Sequence, residues 1–282
     1  IPTYTRWNQR KKTKYWDAIF QWQEKLYPWK TKLNMAVWRG AATGYVYQYP
    51  YWRDLPRARL VQYSFDNPSL IDAGINESMS QRNETELEEM KSSGFMKERI
   101  EMRNFQKYKA IIDIDGNSWS SRFSDLLCMN SVVLKVTPGW VDYFYLQEVQ
   151  PWVHYLPVHG NLSNLVEMVQ LATSSDPKIE RQMQGIVNNA NAWCRTKMTP
   201  SQMSFDMSWI MASYVEVLNK ENTRSGNFDK WKSNVAVSFN INNDVVGNST
   251  TISNMNNNSR SMTTWNTENW VRITSTRKKV YT

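Results

Sequence analysis

One segment of the chain brings together residue types that bind anions. Gly116 and Asn117 end an apolar run, a Ser-rich stretch follows at 118–121, and Arg122 comes next. Glycine allows a backbone to approach a ligand closely, and a guanidinium donates charge-assisted hydrogen bonds to phosphate oxygens. We therefore predict that Gly116, Arg122 and the amides of residues 118–121 bind a diphosphate. The alternative is that Arg122 bends back to a surface carboxylate such as Asp125.

The elements around these residues are predicted to be a strand, a turn, a helix and a second strand. Tyr108–Ile114 is β-branched and apolar, as expected of a strand buried on both faces, and Ser131–Val136 has the same character. The serines offer N-caps for a helix with Arg122 in its first turn. A cation there opposes the helix macrodipole by roughly 0.3–1 kcal/mol unless an anion lies beside it. Such a βαβ unit places the turn at the carboxyl end of a parallel sheet, where α/β folds bind anionic ligands.

Further elements are predicted on both sides of this unit. The strand Asn34–Arg39 runs into the small-residue turn GAATG at 40–44, a second strand-to-loop junction that we expect to face the same crevice. Leu60–Ser64 is predicted to be another strand. A helix capped by Asp176 and a Met-rich helix over residues 203–218 each carry an apolar stripe that is expected to lie in the core.

Composition narrows the function classes. The 282 residues are enough for one large or two small domains, and the net charge of +8 is densest near the two ends. No nucleic-acid module pattern accompanies the charge, so we expect no nucleic-acid partner. No apolar run approaches the length of a membrane span. Cys128 and Cys194 lie on predicted helices among apolar neighbours, which favours buried free thiols over a disulfide or a zinc site.

Three blocks in this order resemble glycosyltransferase family 90, the capsule-associated and protein O-glucosyltransferase group. They are PWKTKLNMAVWRGAATG at 28–44, YKAIIDIDGNSWSSRFSDLLCMNSVVLKV at 108–136 and PWVHYLPVHGNLSNL at 151–165. The resemblance implies an α/β fold of the GT-B type, with two Rossmann-like lobes and a cleft between them. It also implies inverting transfer of glucose or xylose from UDP-glucose or UDP-xylose to a hydroxyl of a protein or glycan acceptor, without a metal or other cofactor.

The resemblance also implies how the chain is organised. Residues 1–33 match a remnant of the amino-terminal acceptor lobe with the interlobe helix. Residues 34–222 match the Rossmann-like donor lobe, and 223–282 form a tail rich in Asn, Ser and Thr. The family implies the lumen of the secretory pathway, in the endoplasmic reticulum or Golgi. A membrane contact is then expected only through an amino-terminal anchor outside this chain.

The family's donor contacts carry over to three places in this sequence. The WRG motif and the turn after it supply the first, a match on NPSLIDA supplies the second, and the Gly-turn-helix block supplies the third. The donor-binding residues implied in this way are Arg39, Gly40, Ala41, Arg57, Gly116, Asn117, Ser118, Trp119, Ser120, Ser121 and Arg122.

The sequence departs from the family in ways that bear on catalysis. The family's catalytic aspartate lies well upstream of WRG, whereas only 37 residues precede Trp38 here, so we expect the base to lie upstream of Ile1. A nucleotide-sugar-binding module without a catalytic base is therefore the alternative function. Ala41 replaces a serine, and Asp115 replaces an arginine, that are common in the animal members. Donor sugar and acceptor stay open.

Other polar residues admit a second interpretation. Asp113 and Asp115 form a D-x-D pair on one face of a strand, which in another glycosyltransferase architecture holds Mg²⁺ or Mn²⁺. Against that interpretation, Asp115 caps the turn and Asp113 pairs locally. His154 is predicted to order its loop or to contact ribose or phosphate, rather than to transfer a proton. Lys135 either meets a phosphate or extends its amine to solvent.

Overall fold

The computed structural model describes residues 26–44, 51–77, 84–137 and 148–225. Most of the predicted acceptor-lobe remnant at 1–33 and of the tail at 223–282 therefore lies outside the described residues. The chain comprises two compact units, Ile1–Tyr214 and Val215–Thr282. All the strands named below belong to the first unit.

Five strands form a parallel sheet in the order β2-β1-β3-β4-β5. Every side chain of the third strand except the first is buried, as is every one of the fourth except the last. Burial on both faces explains why these segments are largely apolar rather than alternating, with Lys109, Asp113 and Lys135 as the charged exceptions. The predicted strands at 34–39, 108–114 and 131–136 and the α/β fold class are thereby confirmed. The strands are β1 (Leu33–Ala41), β2 (Ile71–Glu77), β3 (Tyr108–Asp113), β4 (Val132–Thr137) and β5 (Leu156–His159).

Helices cover both faces of this sheet. One apolar cluster joins alternate residues of the strands, such as Trp38 and Ile112, to the first and fourth helices. A second cluster joins the opposite face, through Val37 and Ile111, to the third helix, and the fifth helix contributes to both clusters. The helices are α1 (Pro56–Asp66), α2 (Glu84–Ser92), α3 (Phe123–Leu126), α4 (Leu165–Thr173), α5 (Pro177–Lys197) and α6 (Pro200–Ser225).

The predicted strand Leu60–Ser64 is wrong, because these residues lie in α1. Pro56 occupies the first turn of this helix, where its missing N–H leaves no hydrogen bond unmade. Five residues of this helix are buried, and four of them follow the i, i+3, i+4, i+7 spacing of a single helix face that begins with a cation. These four are Arg57, Leu60, Val61 and Ser64, and the fifth is Ala58.

The prediction of two free thiols is also wrong. Cys128 and Cys194 form a disulfide, with their Cα atoms 5.5 Å apart and a sequence separation of 66 positions. Both residues belong to the second apolar cluster, where α5 packs beside the chain that follows α3. Each cysteine has the apolar neighbours expected of a buried thiol. Only the packing of these two segments brings the sulfurs together.

The apolar stripe predicted for the Met-rich helix lies in the core only at its start. Met203, in the first turn of α6, is 1% exposed, whereas Met211 and Tyr214 are 48% and 58% exposed. In the described ranges, no helix is both long enough and apolar enough to cross a bilayer.

The order of the strands determines where the site lies. After β1 the chain passes through α1 to β2 on one side, and after β3 it passes through α3 to β4 on the other. The two neighbouring strands therefore send their loops in opposite directions from adjacent carboxyl ends. Ligands of open α/β sheets bind in the crevice that such a reversal creates. The two predicted junctions meet at this crevice.

Candidate functional site

The loops that leave β1 and β3 are tied together at the crevice. The backbone N–H of Gly44 donates to the side-chain oxygen of Asn117 across 3.0 Å. Within the second loop, the Gly116 N–H donates to the Ser118 carbonyl across 3.1 Å. The side chains of Asn117 and Ser118 are exposed. The two loops thus lie together at the carboxyl end of the sheet, and the side chains of Asn117 and Ser118 face solvent there.

The buried side chain of Arg57 links the two loops through hydrogen bonds. Its guanidinium donates to the carbonyls of Asp115, Ala41 and Ile114 at 3.0–3.1 Å, and also to the hydroxyl of Thr43. α1 delivers the side chain because Arg57 begins the buried face of that helix. One side chain therefore bridges both loops, and each of these four acceptors is uncharged.

The positive charge on Arg57 is only partly compensated. Burial, followed by the nearby charge of Arg122, lowers the pKa of Arg57 to about 10, although Asp113 and Asp115 act in the opposite direction. The group stays protonated at neutral pH, because that pKa lies well above 7. Its guanidinium carbon also lies 5.6 Å from the ring centre of Trp38, which gives a cation–π contact.

Gly116 is required by close approach. A Cβ at this position would lie 2.5 Å from the Thr43 hydroxyl oxygen and 3.0 Å from the nearer terminal nitrogen of Arg57. Both neighbours are held by the hydrogen bonds described above. The absence of a side chain at Gly116 is thus what allows the two loops and Arg57 to pack together.

Arg122 lies at the same edge but not inside a helix. α3 begins at Phe123 and has four residues, and Arg122 is its N-cap, without a side-chain cap hydrogen bond. The predicted conflict with the helix macrodipole is therefore wrong, because the dipole of a single turn is small. The guanidinium donates to the Arg39 carbonyl across 2.6 Å, which is its one hydrogen bond within the described residues. Burial lowers the pKa of Arg122, and Asp113 opposes that shift.

A buried ion-pair cluster lies beneath the second loop. The Lys135 ammonium donates to a carboxylate oxygen of Asp113 at 2.8 Å and to one of Asp115 at 2.7 Å. The Ser120 N–H donates to the same Asp115 oxygen at 2.8 Å, and the Ser120 hydroxyl donates to Asp113. Burial lowers the pKa of Lys135, but the attraction of the two carboxylates outweighs it, so that the net shift is upward. Lys135 therefore stays inside the protein, contrary to the prediction of an amine reaching solvent.

The exposed part of the second loop offers hydrogen-bond donors. The N–H groups of Asn117, Ser118 and Trp119 have no partner among the described residues. The Trp119 ring is 42% exposed and the Ser121 side chain is also exposed. These donors lie in the segment that connects Gly116 to Arg122. An anion at the crevice would have backbone amides available as well as guanidinium groups.

In the WRG motif, the Arg39 side chain forms an ion pair away from the crevice, while backbone carbonyls of the segment contact the crevice arginines. The Arg39 guanidinium forms an ion pair with Asp72 at 2.9 Å, and Lys97 and Tyr108 donate to the same carboxylate. Burial raises the pKa of Asp72, but these three donors outweigh it and hold the pKa below its usual range. The Arg39 side chain therefore lies outside the crevice cluster. Its backbone carbonyl and that of Ala41 are the WRG-segment atoms that contact Arg122 and Arg57.

Gly40 lies between these two residues in β1. A Cβ there would come within 2.7 Å of the Trp38 ring, the ring on which Arg57 stacks. The missing side chain thus makes room for Trp38. Gly40 supports the Arg57 site through packing, while its predicted donor contact stays a prediction.

His154 is used by its own loop. Its Nδ1 accepts the Gln150 N–H across 3.0 Å, and burial lowers its pKa. The ring therefore orders the loop that precedes β5, which is one of the two roles predicted for it. A neutral ring of this kind adds no charge to the crevice.

Thr43 is the site residue that sequence reasoning missed. Its hydroxyl accepts from Arg57, and its N–H donates to the Ala41 carbonyl across 2.8 Å. The signal available for it is that Thr43 is the one hydroxyl side chain in the turn GAATG after β1.

Charge at the crevice is positive overall. Three cations, Arg57, Arg122 and Lys135, surround two carboxylates, Asp113 and Asp115, which leaves one formal positive charge. Among the residues that the structure describes, no three His, Cys, Asp or Glu side chains form a group able to hold a metal ion. The arrangement suits a ligand that carries an anionic group at the ends of β1 and β3.

Comparisons with known proteins identify the family of the chain. The family model for glycosyl transferase family 90 matches residues 1–280. Human protein O-glucosyltransferase 3 is 32% identical over 161 residues, which is 57% of this chain and 29% of that relative. Human protein O-glucosyltransferase 1 is 26% identical over 204 residues, or 72% and 47%. The chain thus spans less than half the length of either relative.

One solved structure aligns with part of the chain. HepE from Anabaena, crystallised in complex with UDP-glucose, aligns with a TM-score of 0.45 at 12% sequence identity. The alignment covers 70% of this chain and 53% of that chain.

Proposed function

Because the chain belongs to glycosyl transferase family 90, we propose that its crevice binds the diphosphate of a UDP-sugar. The chain then forms the donor lobe of a two-lobed GT-B transferase. The proposed reaction moves glucose or xylose to a hydroxyl of a protein or glycan acceptor, with inversion at the anomeric carbon and without a metal. The names of the relatives favour glucose and a protein acceptor.

A single observation carries this proposal. Arg57 is buried and Arg122 is partly buried at the ends of β1 and β3, and within the described residues they donate hydrogen bonds only to neutral oxygens. Their charges are close enough for Arg122 to lower the pKa of Arg57, although Asp113 and Asp115 partly offset this. Like charges removed from water are costly to hold together, and an anion between them lowers that cost. A diphosphate carries negative charge and enough oxygens for both guanidinium groups.

The chemistry of sugar transfer explains why the site needs this charge. As the bond from the anomeric carbon to UDP breaks, negative charge grows on the β-phosphate. Donors that are already fixed in place stabilise that charge without reorganising at the moment of reaction. In this proposal Arg122 does so together with the amides of Asn117, Ser118 and Trp119, which have no partner among the described residues. Arg57, which is held by four acceptors, fixes the edge on which they lie.

Transfer also requires a base to take the proton from the attacking hydroxyl. Every residue assigned to the crevice acts on the leaving group, and we assign no residue of this chain as the base. This division favours, as a second candidate, a module that binds a nucleotide sugar without transferring it. The two candidates differ in whether UDP is released from UDP-glucose when an acceptor is present.

The disulfide bears on the compartment. Disulfides form and persist in oxidising environments and are rare in proteins of the cytosol. The Cys128–Cys194 bond is therefore the feature of this chain that supports a location in the lumen of the secretory pathway. We propose that location for the enzyme, in the endoplasmic reticulum or Golgi.

Calorimetric titration of UDP into the chain, in EDTA, tests the proposed function. We expect UDP to bind and Arg122→Ala to weaken it by at least about tenfold, the loss of one charge-assisted contact of about 1.5 kcal/mol or more. Arg181→Ala removes an exposed arginine from α5 and serves as the matched control. An Arg122→Ala protein that melts like the wild type and binds UDP equally well would refute the assignment. Comparing UDP-glucose with UDP-xylose then identifies the donor.

A further inference from the structure

The Lys135 ammonium lies between the two carboxylates of the D-x-D pair. Asp113 and Asp115 lie two residues apart at the end of β3, and the chain directs both side chains to one face. Their carboxylates share the Lys135 ammonium at 2.8 Å and 2.7 Å. The side chain of Asp113 is fully buried, and those of Lys135 and Asp115 are 3% and 8% exposed. Each carboxylate is therefore ion-paired with the same cation, which the protein itself supplies.

The same cluster is connected to the loop at the crevice. The Asp115 oxygen that contacts Lys135 also accepts the Ser120 N–H, and Asp113 accepts the Ser120 hydroxyl. Ser120 is buried, whereas its neighbours in the loop are exposed. The N–H and the hydroxyl of Ser120 therefore both donate to carboxylates that are ion-paired with Lys135. The conformation of the loop between Gly116 and Arg122 depends on that anchor.

Lys135 also contacts the residue that follows Arg122. Its ammonium lies 5.2 Å from the centre of the Phe123 ring, a cation–π contact at the start of α3. The ammonium therefore supports the loop at two points, Ser120 through the carboxylates and Phe123 directly. Arg122 lies between these two points.

We propose that Lys135 is a positioning residue that acts in place of a divalent cation. By neutralising Asp113 and Asp115 it keeps both carboxylates available to Ser120, which holds the 116–122 loop in the conformation that receives a diphosphate. This inference rests on the proposed function, because it deepens the account of the same site. Lys135 itself does not contact the ligand.

Asp115→Asn separates positioning from simple electrostatics. The substitution keeps the shape and removes one negative charge beside the diphosphate site. If charge alone governed binding, UDP would bind more tightly to this variant. If Asp115 positions Ser120, weakening its link to Lys135 loosens the loop and UDP binds less tightly, by about tenfold. Uridine has no phosphate, so its affinity, measured by saturation-transfer NMR, should stay unchanged.

Variants of Lys135 itself supply the second measurement. Lys135→Met leaves the two carboxylates without their cation, and we expect UDP affinity to fall by at least about tenfold. Lys135→Arg keeps the charge and should retain more affinity than Lys135→Met. Mn²⁺ should restore UDP binding to Lys135→Met, because the emptied position offers a divalent ion two carboxylates. Mn²⁺ and EDTA should leave the wild type unchanged.

The outcomes are distinguishable. A wild-type chain that does not bind UDP defeats the proposed function itself. A wild type that binds UDP, together with a folded Asp115→Asn that binds it as tightly or more tightly, overturns the positioning role alone. The same conclusion follows if UDP and uridine affinities fall together, because that is the result of a general structural loss. Should Lys135→Met fail to fold, the isosteric Asp115→Asn decides the question.

Discussion

The substitution Gly116→Ala tests the site with a single added carbon. The new Cβ would lie 2.5 Å from the Thr43 hydroxyl oxygen, 3.0 Å from a terminal nitrogen of Arg57 and 3.2 Å from the guanidinium carbon. Ordinary contact begins near 3.4 Å, so the oxygen would have to move by about 0.9 Å. Neither neighbour is free to do so. The Thr43 N–H is bonded to the Ala41 carbonyl, and Arg57 is bonded to four acceptors.

The expected magnitude follows from this crowding. Overpacking a tight site costs roughly 1–3 kcal/mol, and each hydrogen bond to a charged group that breaks adds roughly 1.5–3 kcal/mol. If one contact of Arg57 is lost and the rest adjust, the two costs together lower the free energy of unfolding by about 2.5–6 kcal/mol. For a domain of this size the melting temperature then drops by roughly 5–20 °C. Because the two loops are forced apart at the crevice, UDP should bind at least about tenfold more weakly.

The chain offers a matched control for this change. Gly185 lies in α5, and a Cβ built there meets nothing within 4 Å. Gly185→Ala should therefore stabilise the protein by about 0.5–1 kcal/mol, since alanine favours the helix and loses less entropy on folding. Urea unfolding and UDP titration of both variants compare the same chemical change in two environments. The sign of the stability change should differ between them.

A double variant locates the clash. Thr43→Ala removes the oxygen nearest to the new Cβ, so combining it with Gly116→Ala should cost less than the sum of the two single changes, by about 1 kcal/mol. The account fails if Gly116→Ala unfolds within about 0.5 kcal/mol of the wild type and binds UDP equally well. It fails equally if the two substitutions are strictly additive.

Two further outcomes concern stability away from the crevice. Burial lowers the pKa of Lys32 to about 7, and among the described residues its ammonium donates to two neutral acceptors, the Gln106 carbonyl and the Ser131 hydroxyl. The unfolded chain then binds the extra proton above that pH, so between about pH 7 and pH 9 the wild type should gain about 2 kcal/mol over Lys32→Met in urea unfolding. A pH-independent difference contradicts the assignment. Replacing Cys128 and Cys194 with serine should cost about 2–4 kcal/mol, because the disulfide closes a long loop. A reductant should lower the free energy of unfolding of the wild type by a similar amount and leave that of the double variant unchanged.

Features that depend on neighbouring residues could be predicted from the sequence. The strands at 108–114 and 131–136 are largely apolar and do not alternate, as burial on both faces of a parallel sheet requires. Gly116, the serines and Arg122 mark the anion-binding turn because each has an intrinsic chemical preference for it. The strand predicted at 60–64 was wrong, because an apolar pattern over five residues is compatible with either a strand or one face of a helix.

Features that join distant segments were decided only by the tertiary structure. Arg57 and Asp115 meet because α1 and β3 converge at one edge of the sheet, although 58 residues separate them. Lys135 neutralises Asp113 because β3 and β4 are neighbours in register, a pairing that no local pattern specifies. The disulfide spans 66 residues for the same reason. The sequence by itself determined which residue types line the crevice. The order and packing of the strands and helices determined which charges are paired and brought the guanidinium groups of Arg57 and Arg122 close together at one crevice.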